Sequence, residues 1–384
     1  MSVVGSTGSI GRQALDVVRR HSDRFKVVAL AARRSVEELV RQALEFRPHL
    51  VCVEDEEQAK LVEGQLADAR IRVVAGPGAA VEAALIEEAD VVLLASSGLS
   101  GLRPAVAAVT RGKVLALANK ESIVCMGTEL LRKAAAYGTR IVPVDSEHSA
   151  VFQCLGGSLV PGKEVDGIIL TCSGGPFWNV PQSELESVGA REVLRHPVWR
   201  MGPKITVDSA TLMNKGFEVI EASVLFGLSA DRIRVVIHPE SIVHAMVLHR
   251  DGSALAQLGW PDMRVPIQLA LSYPEKLEGP AERFDPVRVS ILRFFEPNFE
   301  KFPCLKMGFD VLGLPDSYRT VLVAADEVAV ELFLAGQLSF KGIPEVIARV
   351  MDRHVPSWRV TELDQVEEIA QWAKKAAAEE AARL

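Results

Sequence analysis

Apolar and polar positions along the first third of the chain follow two periods, and the switches between them mark out elements. Short apolar, β-branched runs stand at Val3-Val4 and over 26–30, 50–53, 71–74, 90–94 and 113–117. Between them apolar residues recur at three- and four-residue spacing, as in Ala14, Leu15, Val17 and Val18, which predicts helices over 36–46, 56–67 and 104–110 and another before residue 90. Runs apolar on both faces, separated by amphipathic helices, are the signature of repeated βα units, and such units build a doubly wound, Rossmann-like parallel sheet. A helix over 129–137 then returns the chain to Ile141-Val142-Pro143-Val144.

After that the texture changes. Residues 167–171 read as a strand, and alternation over 235–239, 242–247 and 254–258 predicts strands of a second, largely antiparallel sheet. Prolines at 274, 280, 286, 297 and 303 mark a linker crossing the surface, and helical patterns over 318–334, 343–352 and 362–382 predict a small α-helical domain. The fold class expected is α/β, with an N-terminal doubly wound parallel sheet over 1–144, a central α+β domain over 145–273, a linker over 274–303 and a C-terminal helical domain over 304–384.

Composition narrows the function classes. A chain of 384 residues outgrows a single hydrophobic core, so several domains are expected. A formal net charge of −7 without a dense basic run argues against nucleic-acid binding, and no apolar run reaches the roughly 18 to 20 residues that span a bilayer. The five cysteines are scattered, without a C-x-x-C pair, so neither a disulfide framework nor a zinc site is indicated and a reducing cytoplasm is the expected home.

Chemistry concentrates where the apolar runs end. Gly5-Ser6-Thr7-Gly8-Ser9-Ile10-Gly11 follows the first run and opens a helix, the arrangement that lets backbone approach a pyrophosphate at a helix N-terminus. At the end of the second run, Arg33-Arg34-Ser35 stands where an acid would bind the ribose 2′-hydroxyl of NAD, so NADPH is favoured over NADH. The run over 113–117 ends in Asn119-Lys120-Glu121-Ser122, read as a ligand-facing strand end or as a helix cap. Val144-Asp145-Ser146-Glu147 continues a strand pattern, in which Asp145 and Glu147 share a face and offer two oxygens to a hard cation; the same pair is common in solvated turns.

Cys172-Ser173-Gly174-Gly175 offers backbone N–H groups to a phosphate or makes a plain turn, and Arg195 to Lys204 reads as a loop able to close over a ligand. Ile205-Thr206-Val207-Asp208-Ser209 leads into a helix that Asp208 or Ser209 can cap; on that helix Asn214 and Glu218 share a face with Lys215 beside them. His238 and His244 read equally as buried structural histidines or site residues.

In this order, Asn119-Lys120-Glu121-Ser122, Asp145-Ser146-Glu147-His148, Ser173-Gly174-Gly175-Pro176-Phe177 and Asp208 through Glu218 closely resemble the 1-deoxy-D-xylulose 5-phosphate reductoisomerase family, and the resemblance runs from Gly5 to the helical tail. It implies NADPH- and Mg²⁺- or Mn²⁺-dependent conversion of 1-deoxy-D-xylulose 5-phosphate to 2-C-methyl-D-erythritol 4-phosphate, in non-mevalonate isoprenoid synthesis, by a homodimer. Carried onto this sequence, it makes Asp145, Glu147 and Glu218 the metal ligands and Ser146, Ser173, His196, Ser209, Asn214 and Lys215 the substrate shell, which Lys120, Glu147 and Glu218 also touch. Lys120, Glu147, His196 and Trp199 take catalytic roles, Trp199 and Met201 belonging to the closing loop. Thr7, Gly8, Ser9, Ile10, Arg34, Ser35, Asn119, Glu121 and Gly202 contact NADPH. The chain departs from the family pattern at Arg33, at Cys172 and at Ala95-Ser96-Ser97. A metal-assisted NADP-dependent hydroxy-acid dehydrogenase is the alternative enzyme reading, and an NADPH-sensing module the non-catalytic one.

Overall fold

The computed structural model describes residues 1–33, 35–195, 201–357 and 359–384. Two compact units emerge: Met1–Ser122, Thr128–Ser149 and Asp262–Glu282 form the first, and Ile123–Gly127, Ala150–Pro261 and Arg283–Leu384 the second.

The first unit is built from β1 (Ser2–Val4), α1 (Ser9–Arg20), β2 (Ala29–Ala32), α2 (Val36–Phe46), β3 (Leu50–Val53), α3 (Glu56–Leu66), β4 (Arg72–Ala75), α4 (Ala79–Leu85), β5 (Val91–Leu94), α5 (Leu102–Val109), β6 (Val114–Leu117), α6 (Lys120–Tyr137) and β7 (Arg140–Pro143). All neighbours pair in parallel, in the order β4-β3-β2-β1-β5-β6-β7. Strands β1, β2 and β3 are buried at every residue, as expected when helices cover both faces of a parallel sheet. Because β1 lies between β2 and β5, the chain leaves it in opposite directions on its two sides, which opens a crevice at its carboxyl end.

Two boundaries differ from the sequence reading. The strand expected over 26–30 begins at Ala29, because Val28 donates its N–H to Met1 O (2.9 Å) ahead of the regular ladder. The helix expected from residue 129 starts at Lys120; buried Ile123, Val124, Cys125, Met126 and Leu130 cover more than one face, so no amphipathic stripe announces it.

The second unit carries most of α7 (Ser146–Cys154), then β8 (Val165–Cys172), α8 (Ala190–Val193), α9 (Pro203–Thr211), α10 (Met213–Phe226), β9 (Ile233–Ile237), β10 (Val243–His249) and β11 (Ala254–Leu258). Its four-stranded sheet runs β11-β10-β8-β9, antiparallel except for the parallel pair β8–β9. Helix α11 (Arg264–Ser272) belongs to the first unit, where Gln268 bonds His21 Nε2 (3.1 Å) just past the end of α1. Residues 283–303 include α12 (Pro286–Val289) and are pinned to β9 by reciprocal Ile237–Phe295 backbone bonds of 2.8 and 2.9 Å.

Helices α13 (Pro303–Asp310), α14 (Ser317–Leu334), α15 (Gly342–Asp352) and α16 (Leu363–Ala381) complete the second unit. The last three pack around buried Leu322, Val330, Ile347 and Val366, each contributing roughly 1.5–3 kcal/mol when fully removed from water. Helices α10 and α13 cross where two glycines meet: a Cβ on Gly308 would lie 2.4 Å from Gly216 Cα. Among the described residues no helix is long and apolar enough to cross a membrane.

Candidate active site

In the first unit the glycine turn ends β1 at the crevice. Gly5 has φ +90°, and a Cβ there would lie 2.6 Å from the Ala95 carbonyl carbon at the end of β5. Gly11, in the first turn of α1, is closer still, since its Cβ would lie 2.3 Å from Gly5 O and 2.5 Å from Ser6 Cα. These approaches pull α1 onto the turn, and no side chain caps the helix at Gly8. The N-terminal N–H groups of α1, with Thr7, Ser9 and Ile10 around them, form the electropositive end that a pyrophosphate takes. At the end of β2, Arg33 is exposed and pairs with Glu54 (3.1 Å), and Ser35 stands at the N-cap of α2. Arg34 lies outside the described residues.

The carboxyl ends of β6 and β7 carry the second group. These strands pair in register, Leu117 opposite Pro143, so the residues just beyond them are neighbours. Lys120 Nζ reaches Asp145 Oδ2 at 2.6 Å, both side chains nearly buried. Asn119 is the cap its spacing allowed: its Oδ1 accepts from Ser122 N (3.0 Å), while its Nδ2 donates to Ser96 O (2.9 Å), Gly98 O (3.0 Å) and Glu121 Oε2 (3.0 Å). Its amide therefore braces the loop after β5 against the start of α6. The extended geometry expected for Asp145 and Glu147 is corrected, because β7 stops at Pro143 and α7 begins at Ser146. Asp145 O accepts from Ser149 N (2.8 Å), the helical i to i+4 bond, which puts Asp145 at the N-cap and Glu147 in the first turn. The two acids share the positive end of a helix dipole rather than one face of a strand. Ser146 Oγ donates to Glu147 Oε2 (2.5 Å).

The second unit gathers the phosphate candidates. After β8, Gly174 (φ +82°) and Gly175 (φ +65°) turn the chain back, with Gly175 N donating to Ser173 Oγ (3.2 Å). A Cβ on Gly175 would lie 2.6 Å from Ser209 O, so the Ser173 turn rests directly on α9 at Ser209. Here the sequence reading is corrected again: 205–209 already lies within α9, so the helix does not start after Asp208 or Ser209, and neither of them caps α10. Gly202 as N-cap and Pro203 at N1 start α9, overriding the β-branched run, and left-handed Leu212 (φ 58°) joins α9 to α10. On α10, Glu218 is 1% exposed; Asn214 Nδ2 donates to its Oε1 (2.5 Å) and Lys215 Nζ to its Oε2.

His238 takes the structural alternative. Its Nδ1 donates to Arg293 O (2.8 Å), its Nε2 accepts from Ile242 N (3.1 Å), and the ring stacks on Phe294. Burial, with smaller contributions from the Lys215 and His238 charges, pushes the pKa of His244 down to about 4. His196 and Trp199 lie outside the described residues. One group escaped the sequence reading: Lys204 bridges Asp208 and Asp326. The Lys204–Asp208 spacing of one turn was visible, but nothing local points to Asp326, 122 residues away.

Comparison with known proteins identifies the family to which the chain belongs. The 1-deoxy-D-xylulose 5-phosphate reductoisomerase family model matches residues 1–127, and its two C-terminal domain models match 141–226 and 258–376. A 1-deoxy-D-xylulose 5-phosphate reductoisomerase of Thermomicrobium roseum is 48% identical over 99% of this chain and 97% of its own. The chain belongs to the 1-deoxy-D-xylulose 5-phosphate reductoisomerase family. The Chlorobaculum tepidum member is 45% identical over 98% of both chains. Among solved structures, a DOX-P reductoisomerase in complex with NADPH, fosmidomycin and magnesium superposes with a TM-score of 0.92 at 34% identity, over 99% of this chain and 97% of that one. The Zymomonas mobilis reductoisomerase in complex with NADPH gives 0.91 at 37% identity, over 100% and 98%. The hydroxy-acid dehydrogenase alternative is not favoured, because family similarity extends through all three parts of the chain.

Proposed function

We propose that this enzyme converts 1-deoxy-D-xylulose 5-phosphate to 2-C-methyl-D-erythritol 4-phosphate with NADPH and Mg²⁺ or Mn²⁺. The observation that carries the reading is the close Lys120–Asp145 pair, with Glu147 in the first turn of α7, at the carboxyl ends of β6 and β7 in a reductoisomerase fold.

The backbone cradle at Gly5 and Gly11 suits a dinucleotide pyrophosphate, for which Thr7, Gly8, Ser9 and Ile10 are the proposed contacts, and the chemistry of Arg34 and Ser35 suits the 2′-phosphate. Asn119, Glu121 and Gly202 complete that set. Asp145, Glu147 and Glu218 are the proposed metal ligands, since an all-oxygen carboxylate set is the chemistry a hard divalent cation takes. When bound, the cation polarises a carbonyl and its neighbouring hydroxyl and the nicotinamide supplies hydride. Ser173, Ser209, Asn214 and Lys215 are the proposed phosphate donors, and Asn214 and Lys215 also donate to Glu218. Lys120 sets the charge at Asp145, Ser146 and His196 orient the substrate, and Trp199 with Met201 excludes water.

We also place the enzyme in the cytoplasm as a homodimer. Five scattered cysteines without a C-x-x-C pair support the first. Apolar exposure at Leu255 on edge strand β11, and at Val287 and Ile291, supports the second. Light scattering would then report twice the 41.7 kDa chain mass. The deciding assay is NADPH oxidation by the purified protein with 1-deoxy-D-xylulose 5-phosphate and Mg²⁺. NMR should find the branched product and chelation should stop the reaction; a product with the linear carbon skeleton would sink the reading.

A further inference from the structure

We propose that Lys204, through Asp208 and Asp326, fixes the orientation of α9 and so aims Ser209, making Lys204 a positioning residue for the substrate's phosphate end; this rests on the phosphate-binding reading above. Lys204 Nζ lies 2.6 Å from Asp208 Oδ2, one turn along α9, and 2.6 Å from Asp326 Oδ2 on α14. The same ammonium sits 5.0 Å from the ring centroid of Phe217 on α10. One cation therefore ties three helices together.

Both carboxylates are buried, Asp326 completely and Asp208 to within 3%. Lys204 offsets the repulsion between them; its removal leaves two buried like charges less compensated and loosens α9 on α14. The helix has little freedom to slide, because the Ser173 turn is seated on Ser209 and Ala210 and left-handed Leu212 fixes the joint to α10. Loss of the tie at Lys204 thus becomes a rotation of α9 about its own axis, which turns the Ser209 side chain, and the joint at Leu212 passes the rotation to Asn214 and Lys215. A displacement near 1 Å in a positioning group costs up to about a hundredfold in rate.

The test is steady-state kinetics of Lys204→Gln and Asp326→Asn, varying 1-deoxy-D-xylulose 5-phosphate and NADPH separately, with thermal unfolding of each variant. The KM for the sugar phosphate should rise about tenfold or more while the KM for NADPH stays within about twofold, and Lys204→Arg should recover most of the loss. Asp326→Asn preserves shape and the Lys204–Asp208 pair, so it reports even if Lys204→Gln does not fold. A lower Tm with unchanged sugar-phosphate KM, or an equal rise in both KM values, overturns the proposal. Ser209→Ala and Lys215→Gln measured alongside separate the two readings. If they raise the sugar-phosphate KM and the Lys204 and Asp326 variants do not, only the positioning role falls; if they leave it unchanged, the phosphate site falls and the proposal with it.

Discussion

The glycine turn after β1 and the α9–α10 helix pair both read as anion sites, yet they are made of opposite materials. The turn is almost all backbone: its shape comes from the missing Cβ atoms of Gly5 and Gly11, and its polarity from the uncapped N-terminus of α1. The helix pair is made of side chains: Lys215 and Glu218 are 2% and 1% exposed, and buried Asp208 and Asp326 share Lys204. A backbone site costs little desolvation but tolerates no added volume. A buried ionic site tolerates shape changes but not the loss of one partner, because the remaining charge stays in low dielectric.

The comparison breaks most visibly at Lys215. Replacing it with Met removes the ammonium beside the buried Glu218 charge, and urea unfolding should show a loss of roughly 3–5 kcal/mol, much of it restored in the double variant Lys215→Met/Glu218→Gln. An undiminished stability in the single variant would mean the pair is not a buried ionic unit.

Acid sharpens the same contrast, because the second unit buries a neutral histidine. His244 titrates near pH 4 folded against 6.5 unfolded, so the unfolded chain binds the extra proton between those values. Stability present above pH 6.5 should therefore fall as pH drops toward 4, by on the order of 3 kcal/mol from this group. Urea midpoints across that range, with His244→Gln as the flattened control, measure it.

On the backbone side, Gly11→Ala should cost about 1–3 kcal/mol and weaken NADPH binding, since its Cβ has no room beside Gly5 O. Isothermal titration with NADPH would show it; unaltered binding would break the backbone account of the site. The smallest effect is the control. Gly64 in α3 has nothing within 4 Å of its missing Cβ, so Gly64→Ala should stabilise by about 0.5–1 kcal/mol in urea unfolding and leave both sites untouched.

Legibility followed locality. The bounds of α2 and β3 emerge from spacing alone, because periodic apolar positions and polar breaks act within a few residues. Helix α9 did not emerge, because Ile205-Thr206-Val207 favours strand by propensity while Gly202-Pro203 and packing beside α14 impose helix. The start of α6 hid for a related reason, since a helix buried on several sides shows no polar stripe. At the candidate site, spacing marked the acids, the glycine turn and the α10 group as candidates, but misjudged the backbone that presents Asp145 and Glu147.

By itself, then, the amino-acid sequence determined the alternation of strands and helices, the glycine turn and the chemical types present at each strand end, all carried by residues near one another in the chain. Tertiary structure alone decided that Lys120 pairs with Asp145, that Gly175 rests on Ser209 and that Asp326 reaches Lys204. The physical reason is that a pairing across 25 to 122 residues is set by sheet register and helix packing, which sum over the whole core and leave no mark in local spacing.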